Sequence, residues 1–77
     1  MTLDELAPGQ RGVVTAIAGE GPLVQRLMTL GLLEGSEVSV TRRAIGGDPI
    51  EIEVMGYSLS LRRSEAQLIT IRDERSG

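Results

Sequence analysis

Residues 50–61 leave the backbone little freedom. Ile50, Ile52 and Val54 alternate with Glu51 and Glu53, and Tyr57, Leu59 and Leu61 alternate with Ser58, Ser60 and Arg62. A period of two belongs to a strand with one dry and one wet face. Only Met55 and Gly56 stand between the two runs. A two-residue hairpin there pairs Val54 with Tyr57, Ile52 with Leu59 and Ile50 with Leu61, so that all six apolar side chains face one side. Glu51 then lies opposite Ser60, Glu53 lies opposite Ser58, and Arg62 becomes the diagonal neighbour of Glu51 on the wet face. A slip of one residue would turn the apolar pairs outward, so the register is well specified.

The rest of the chain supplies three more strands and a helix. Residues 3–6 form a short turn, and Ala7-Pro8-Gly9-Gln10 is a turn signal. Residues 12–18 are rich in Val, Ile and Thr and read as a strand. Its parity has two solutions: Val13, Thr15 and Ile17 share a face, or Val14 and Ile17 share one across a bulge. Gly19-Glu20-Gly21-Pro22 breaks this strand, and Pro22 suits the first position of a helix. Leu23, Val24, Leu27, Met28 and Leu30 give helical spacing over 23–30, and Gly31 is a good left-handed cap. So short a helix must pack on something, and a sheet is expected. After a turn at Gly35, residues 36–44 alternate with Val38 and Val40 on one face, and Gly46-Gly47-Asp48-Pro49 is a strong loop signal. Ser64 and Gln67 have capping-box spacing, and 67–71 reads as a last strand with Ile69 and Ile71 inward. The expected fold is mainly β: a small, strongly bent antiparallel barrel of about five strands with one short helix after the first. Closure would remove the exposed edges. Residues 1–72 form this single domain and 73–77 a frayed, charged tail.

Composition narrows the chemistry. The 77 residues include no Cys, His, Lys, Phe or Trp; the single aromatic is Tyr57 and all eight basic residues are Arg. There is thus no thiolate, imidazole, Schiff base or lysine-bearing phosphate loop. No base is placed to activate a Ser or Thr, so the chain is not expected to be an enzyme. A net charge of −3 and one aromatic argue against a nucleic-acid binder, whose open face carries basic and stacking groups. The N-terminus has no signal-peptide pattern, and no apolar run exceeds three residues, so a cytoplasmic protein without membrane insertion is expected.

Several segments together resemble the ferrous iron transport protein A (FeoA) family. They are Arg26-Leu27-Met28-Thr29-Leu30-Gly31-Leu32, Glu34-Gly35, Val38-Ser39-Val40, Gly47-Asp48-Pro49-Ile50-Glu51-Ile52-Glu53-Val54 with Gly56, and Leu59-Ser60-Leu61-Arg62-Arg63-Ser64-Glu65-Ala66. The opening residues Leu3 to Leu6, Pro8-Gly9 and Gly12 also match. The resemblance runs from about Leu3 to Ile71 and implies an SH3-like β-barrel. It also implies an accessory role in bacterial ferrous iron uptake, by binding the membrane transporter subunit that carries a cytosolic GTP-binding domain. The alternative is an SH3-like nucleic-acid or ribosome-associated module. A third reading, a proline-rich peptide binder, is disfavoured because such grooves are lined with aromatics.

Candidate partner-binding residues are exposed apolar groups and Arg. They are Arg42, Arg43, Ile45, Met55, Tyr57, Arg62 and Arg63. Tyr57 has inward parity and is expected in the core with its hydroxyl at the rim, whereas Met55 has wet parity at the hairpin tip. At least one of Leu32 and Leu33 is core. Arg26 is expected to pair with Glu20 or Glu34. No cofactor and no metal site is expected. Glu51 and Glu53 on one strand face would hold a hard cation only weakly, and a solvated face is the favoured reading. Weak self-association is compatible with the pattern.

Overall fold

The computed structural model describes residues 1–73. A 3-10 turn at Leu3–Glu5 leads into β1 (Arg11–Ile17), α1 (Pro22–Thr29), β2 (Glu37–Arg43), a second short turn (Ile45–Gly47), β3 (Ile50–Val54), β4 (Tyr57–Leu61), α2 (Arg63–Ala66) and β5 (Ile69–Asp73). The five antiparallel strands form one sheet in the order β4-β3-β2-β1-β5. The β3–β4 register is the one expected, Val54 with Tyr57 through Ile50 with Leu61. β5 starts two residues later than expected and includes Asp73, which pairs with Gly12. The expected tail beyond it, 74–77, lies outside the described residues.

The sheet is bent but does not close through hydrogen bonds between its end strands: β4 and β5 remain its two edges. The connection through α2 returns the chain beside β1 and not beside β4. Two bulges bend the sheet. One shifts the β1–β5 register between Val14 and Ala16, the other the β2–β3 register between Val40 and Arg42. An extra residue reverses side-chain parity beyond it, so fully buried Val14 and half-buried Ile17 both reach the core. The bulge solution is the one adopted.

The core joins Leu3 and Leu6 from the N-terminal segment, Leu27 and Leu32 around the helix end, and the inward residues of the strands. Leu32 is fully buried and Leu33 is 46% exposed. Helix α1 begins on Pro22 at its first turn, as expected. It ends in a Schellman motif: Gly31, at φ 101°, donates its N–H to the Met28 carbonyl at 3.0 Å, and the Leu32 N–H reaches the Leu27 carbonyl at 3.1 Å. Only Val24 and Leu27 of the helix are buried, so its apolar stripe is covered on one side and Leu23 and Met28 stay exposed.

Glu51 pairs with Arg42 (Nε to Oε2, 2.8 Å), its register partner on β2. Two side-chain expectations are corrected. Arg26 pairs with Glu65 at 3.1 Å and not with Glu20 or Glu34. The α2 turn is entered at Arg62, whose N–H donates to Glu65 Oε1 at 2.7 Å, so Glu65 takes the role expected of Gln67.

Candidate docking surface

The hairpin tip is a turn with positive φ at both central residues, 53° at Met55 and 83° at Gly56. That is the type I′ geometry whose twist matches two antiparallel strands. Gly at the second position adopts it freely; Met at the first carries a penalty of about 1 kcal/mol, where Asn or Gly would be the relaxed choice. Met55 is nonetheless 70% exposed. Its side chain leans on the end of α1: a Cβ built on Gly31 would stand 2.7 Å from Met55 Sδ and 3.3 Å from the Tyr57 hydroxyl. That hydroxyl donates to the Leu30 carbonyl, one of the groups a helix end leaves unpaired. The tip and the helix terminus thus form one unit. Met28 and Leu33 flank Gly31 in the chain and are 40% and 46% exposed.

Tyr57 corrects the expectation of a core residue. Its parity is inward, but at the end of the sheet it has too little above it and is 43% exposed. Beside the tip runs an open groove lined by Arg11, Glu37, Ser39, Glu53, Met55 and Gly56 among others. Arg11 meets Glu37 at 3.4 Å. Glu53 has no ion-pair partner among the described residues, so the rim is acidic.

The other candidates lie at the opposite end of β3. Ile45 is fully exposed on the second short turn. The Arg63 N–H donates to Asp48 Oδ1 at 3.1 Å, and Arg63 Nε stands 3.9 Å from Asp4 Oδ2. Arg62 is exposed and lines a shallow depression with Asp48 and Pro49. Arg43 is half-buried, and its guanidinium donates to the carbonyls of Asp4 and Leu6, tying the N-terminal turn to β2. Both hydrogens of its Nη2 are occupied within the fold. A five-residue strand, about 17 Å long, separates these residues from Met55 and Tyr57. The seven candidates therefore do not form one site. Met28 and Leu33 are exposed three residues before and two after Gly31, on which Met55 and Tyr57 close, and are candidates for the same surface. In the sequence Met28 read only as helix stripe, whereas Leu32 and Leu33 stood out as a place where a partner could bind, with at least one of them core; the Gly31 cap was the available signal for both.

Among the described residues no three Asp, Glu, His or Cys side chains come together as a metal site. Glu51 is engaged by Arg42. Among the same residues no helix is long and apolar enough to cross a membrane.

The FeoA domain model matches residues 1–73. This chain belongs to the FeoA family. It is 32% identical over 71 residues to an Fe(2+) transport protein A/Fe(2+) transporter FeoB fusion protein of Porphyromonas gingivalis, covering 92% of this chain but only 8% of that protein. The solution structure of the FeoA protein from Chlorobium tepidum superposes with a TM-score of 0.89 at 44% identity, over 96% of this chain and 70% of that one. The Stenotrophomonas maltophilia FeoA, described as a prokaryotic SH3 domain protein and solved with zinc, superposes at 0.83 with 30% identity, over 94% and 89% of the two chains. The fold of this FeoA domain is SH3-like.

Proposed function

We propose that this FeoA-family chain is a cytoplasmic accessory protein of a bacterial ferrous iron transporter and acts by docking on the cytosolic, GTP-binding portion of the FeoB-type membrane subunit. The observation that carries the reading is the fusion: in a relative at 32% identity, the transport protein A unit and the transporter are one polypeptide. Natural fusion is economical when two parts must meet. The docking surface is the hairpin tip with the helix end beneath it, Met55, Tyr57, Met28 and Leu33. It combines exposed apolar side chains with a turn that keeps Met in a conformation Gly would adopt more easily. With Glu37 and Glu53 nearby, the matching patch on the partner is apolar with positive charge. The chain works through this surface and not by catalysis. Arg42 faces Glu51, Arg43 backbone carbonyls and Arg63 Asp4, which weakens the basic patch that the rival nucleic-acid reading needs.

Calorimetry with the cytosolic portion of the cognate FeoB-type subunit tests this. Binding is expected at or below about 50 µM, in at least one nucleotide state, and weakened at least tenfold by Met55→Gly. No binding at about 100 µM in either state, or full binding by Met55→Gly, overturns it.

A further inference from the structure

The two edges of the sheet are treated differently. At β5 the free side is occupied: Thr2 bridges Thr70, and the Ile71 N–H donates to the Met1 carbonyl at 2.8 Å. At β4 no described residue occupies it. Tyr57, Leu59 and Leu61 form the hydrogen-bonded pairs with β3, because Val54 and Tyr57 close a two-residue hairpin. Ser58 and Ser60 therefore aim their N–H and C=O groups away from the sheet, and no described backbone group meets them. The usual safeguards of an edge strand are charge, proline, a bulge or a covering segment. β4 is Tyr-Ser-Leu-Ser-Leu, without charge or proline, and its register on β3 is unbroken. Its remaining safeguard is its length.

We propose that two copies of this chain associate through β4, edge to edge and antiparallel about a two-fold axis at Leu59. The sequence of the strand favours a second copy over a foreign strand. Ser58-Leu59-Ser60 reads the same in both directions, so an antiparallel pairing centred on Leu59 places Ser58 opposite Ser60 of the other copy twice. Each such pair exchanges two backbone hydrogen bonds, four in all, and satisfies the outward groups of both strands. Leu59 is half-buried and meets its own counterpart on the dry side, where a non-hydrogen-bonded pair brings side chains closest. The wet side brings Ser against Ser, so no like charges face one another across the axis. Two five-stranded sheets become one of ten strands. The contact is small, and a dissociation constant of the order of hundreds of micromolar fits it. Met55, Met28 and Leu33 lie outside the strand pairing, whereas Tyr57 stands at its end opposite Leu61 of the other copy, so the dimer and the proposed docking on a transporter share that one residue.

Sedimentation equilibrium of the full chain reads the association. The weight-average mass is expected to rise from 8.2 kDa towards twice that value as concentration approaches about 1 mM. Because each copy carries a net charge of −3, added salt should tighten the dimer. The double variant Ser58→Lys with Ser60→Lys keeps the β3 pairing, since those backbone groups face away from it, and should weaken the dimer at least tenfold. Amide exchange on the unaltered chain should show Ser58 and Ser60 N–H groups protected only at high concentration. That measurement decides the matter even if the variant does not fold. A monomer at about 1 mM, a lysine variant that dimerises as well as the parent, or protection at residues 28–33 in place of Ser58 and Ser60 overturns the proposal.

Discussion

Gly31 and Met55 carry the tightest local constraint. Gly31 has φ 101°, where an L side chain is strained, and any Cβ there would run into Met55 Sδ at 2.7 Å. Gly31→Ala should therefore lower stability by about 2 kcal/mol, part from the left-handed backbone and part from the displaced thioether. The two parts separate in a double-mutant cycle. Met55→Gly alone relaxes a positive φ, adds freedom to the unfolded chain and loses little buried area, so stability should stay within about 1 kcal/mol of the parent. In the double variant the steric part disappears, and Gly31→Ala should cost about 1 kcal/mol less than it does with Met55 present. Chemical denaturation of the four proteins checks this, and simple additivity would refute the contact. The cap at Gly31 was legible in the sequence from a glycine placed just after a helical stripe. The contact was not, because nothing local says that a residue 24 positions on will lean against it. Tyr57 shows the same limit. Parity gave its direction correctly, but depth depends on what lies above the strand end.

At the scale of elements, two short helical turns are held by carboxylates. Glu65 is 7% exposed and serves both Arg62 N–H at 2.7 Å and Arg26 Nη1 at 3.1 Å, joining α2 to α1. Glu65→Ala strands the Arg62 N–H and opens a gap, and should cost about 2–3 kcal/mol. Glu65→Gln keeps an acceptor oxygen for that N–H and loses only an ion pair with a largely exposed Arg, so about 1 kcal/mol is expected. Thermal melts of both variants test the order, and equal losses would show that the charge and not the cap matters. In the N-terminal turn, Glu5 accepts from the Thr2 N–H at 3.1 Å and the Thr2 hydroxyl at 3.0 Å. These bonds, the backbone one first, hold its carboxyl below the ordinary value of 4.5. A lowered carboxylate favours the fold above its unfolded pKa, and the benefit is lost as pH falls through the folded pKa. The parent should thus exceed Glu5→Gln in melting temperature at pH 6 and lose that advantage progressively as the pH is lowered below the ordinary value of 4.5 and through the folded pKa. A gap that persists at the lower pH would refute the assignment. The hairpin was legible because period and turn length agree on one register. The partners of Glu51, Arg26 and Arg43 were not, because each lies on another element and only the tertiary fold brings them together.

For the whole molecule, the decisive quantity is how little surface the tip offers. Met28, Leu33, Met55 and Tyr57 are each only partly exposed, so a partner gains a few hundred square ångströms of apolar contact at most. Such a contact belongs with weak, transient interfaces. Weak docking is sufficient when the partners share a chain, because a short flexible linker holds the two at an effective concentration of the order of millimolar. The Porphyromonas gingivalis fusion joins a related unit to a transporter in one chain. The sequence made five strands and a helix legible, but the open sheet puts the tip and the Ile45 loop at opposite ends of β3, and that spacing decides which residues act together. If the tip alone docks, its defects are defects of affinity and tethering should rescue them. Joining this chain to the cytosolic portion of the FeoB-type subunit proposed as its partner, through a flexible Gly/Ser linker of about 20 residues, should raise occupancy from partial to near complete. In that fused protein the tenfold loss expected for Met55→Gly should shrink to less than twofold in bound fraction, because about 1 mM effective concentration exceeds even the weakened dissociation constant. Fluorescence energy transfer between the two parts would measure it. A Met55→Gly defect that stays tenfold after tethering would mean that the residue acts on the transporter after docking and not on docking itself.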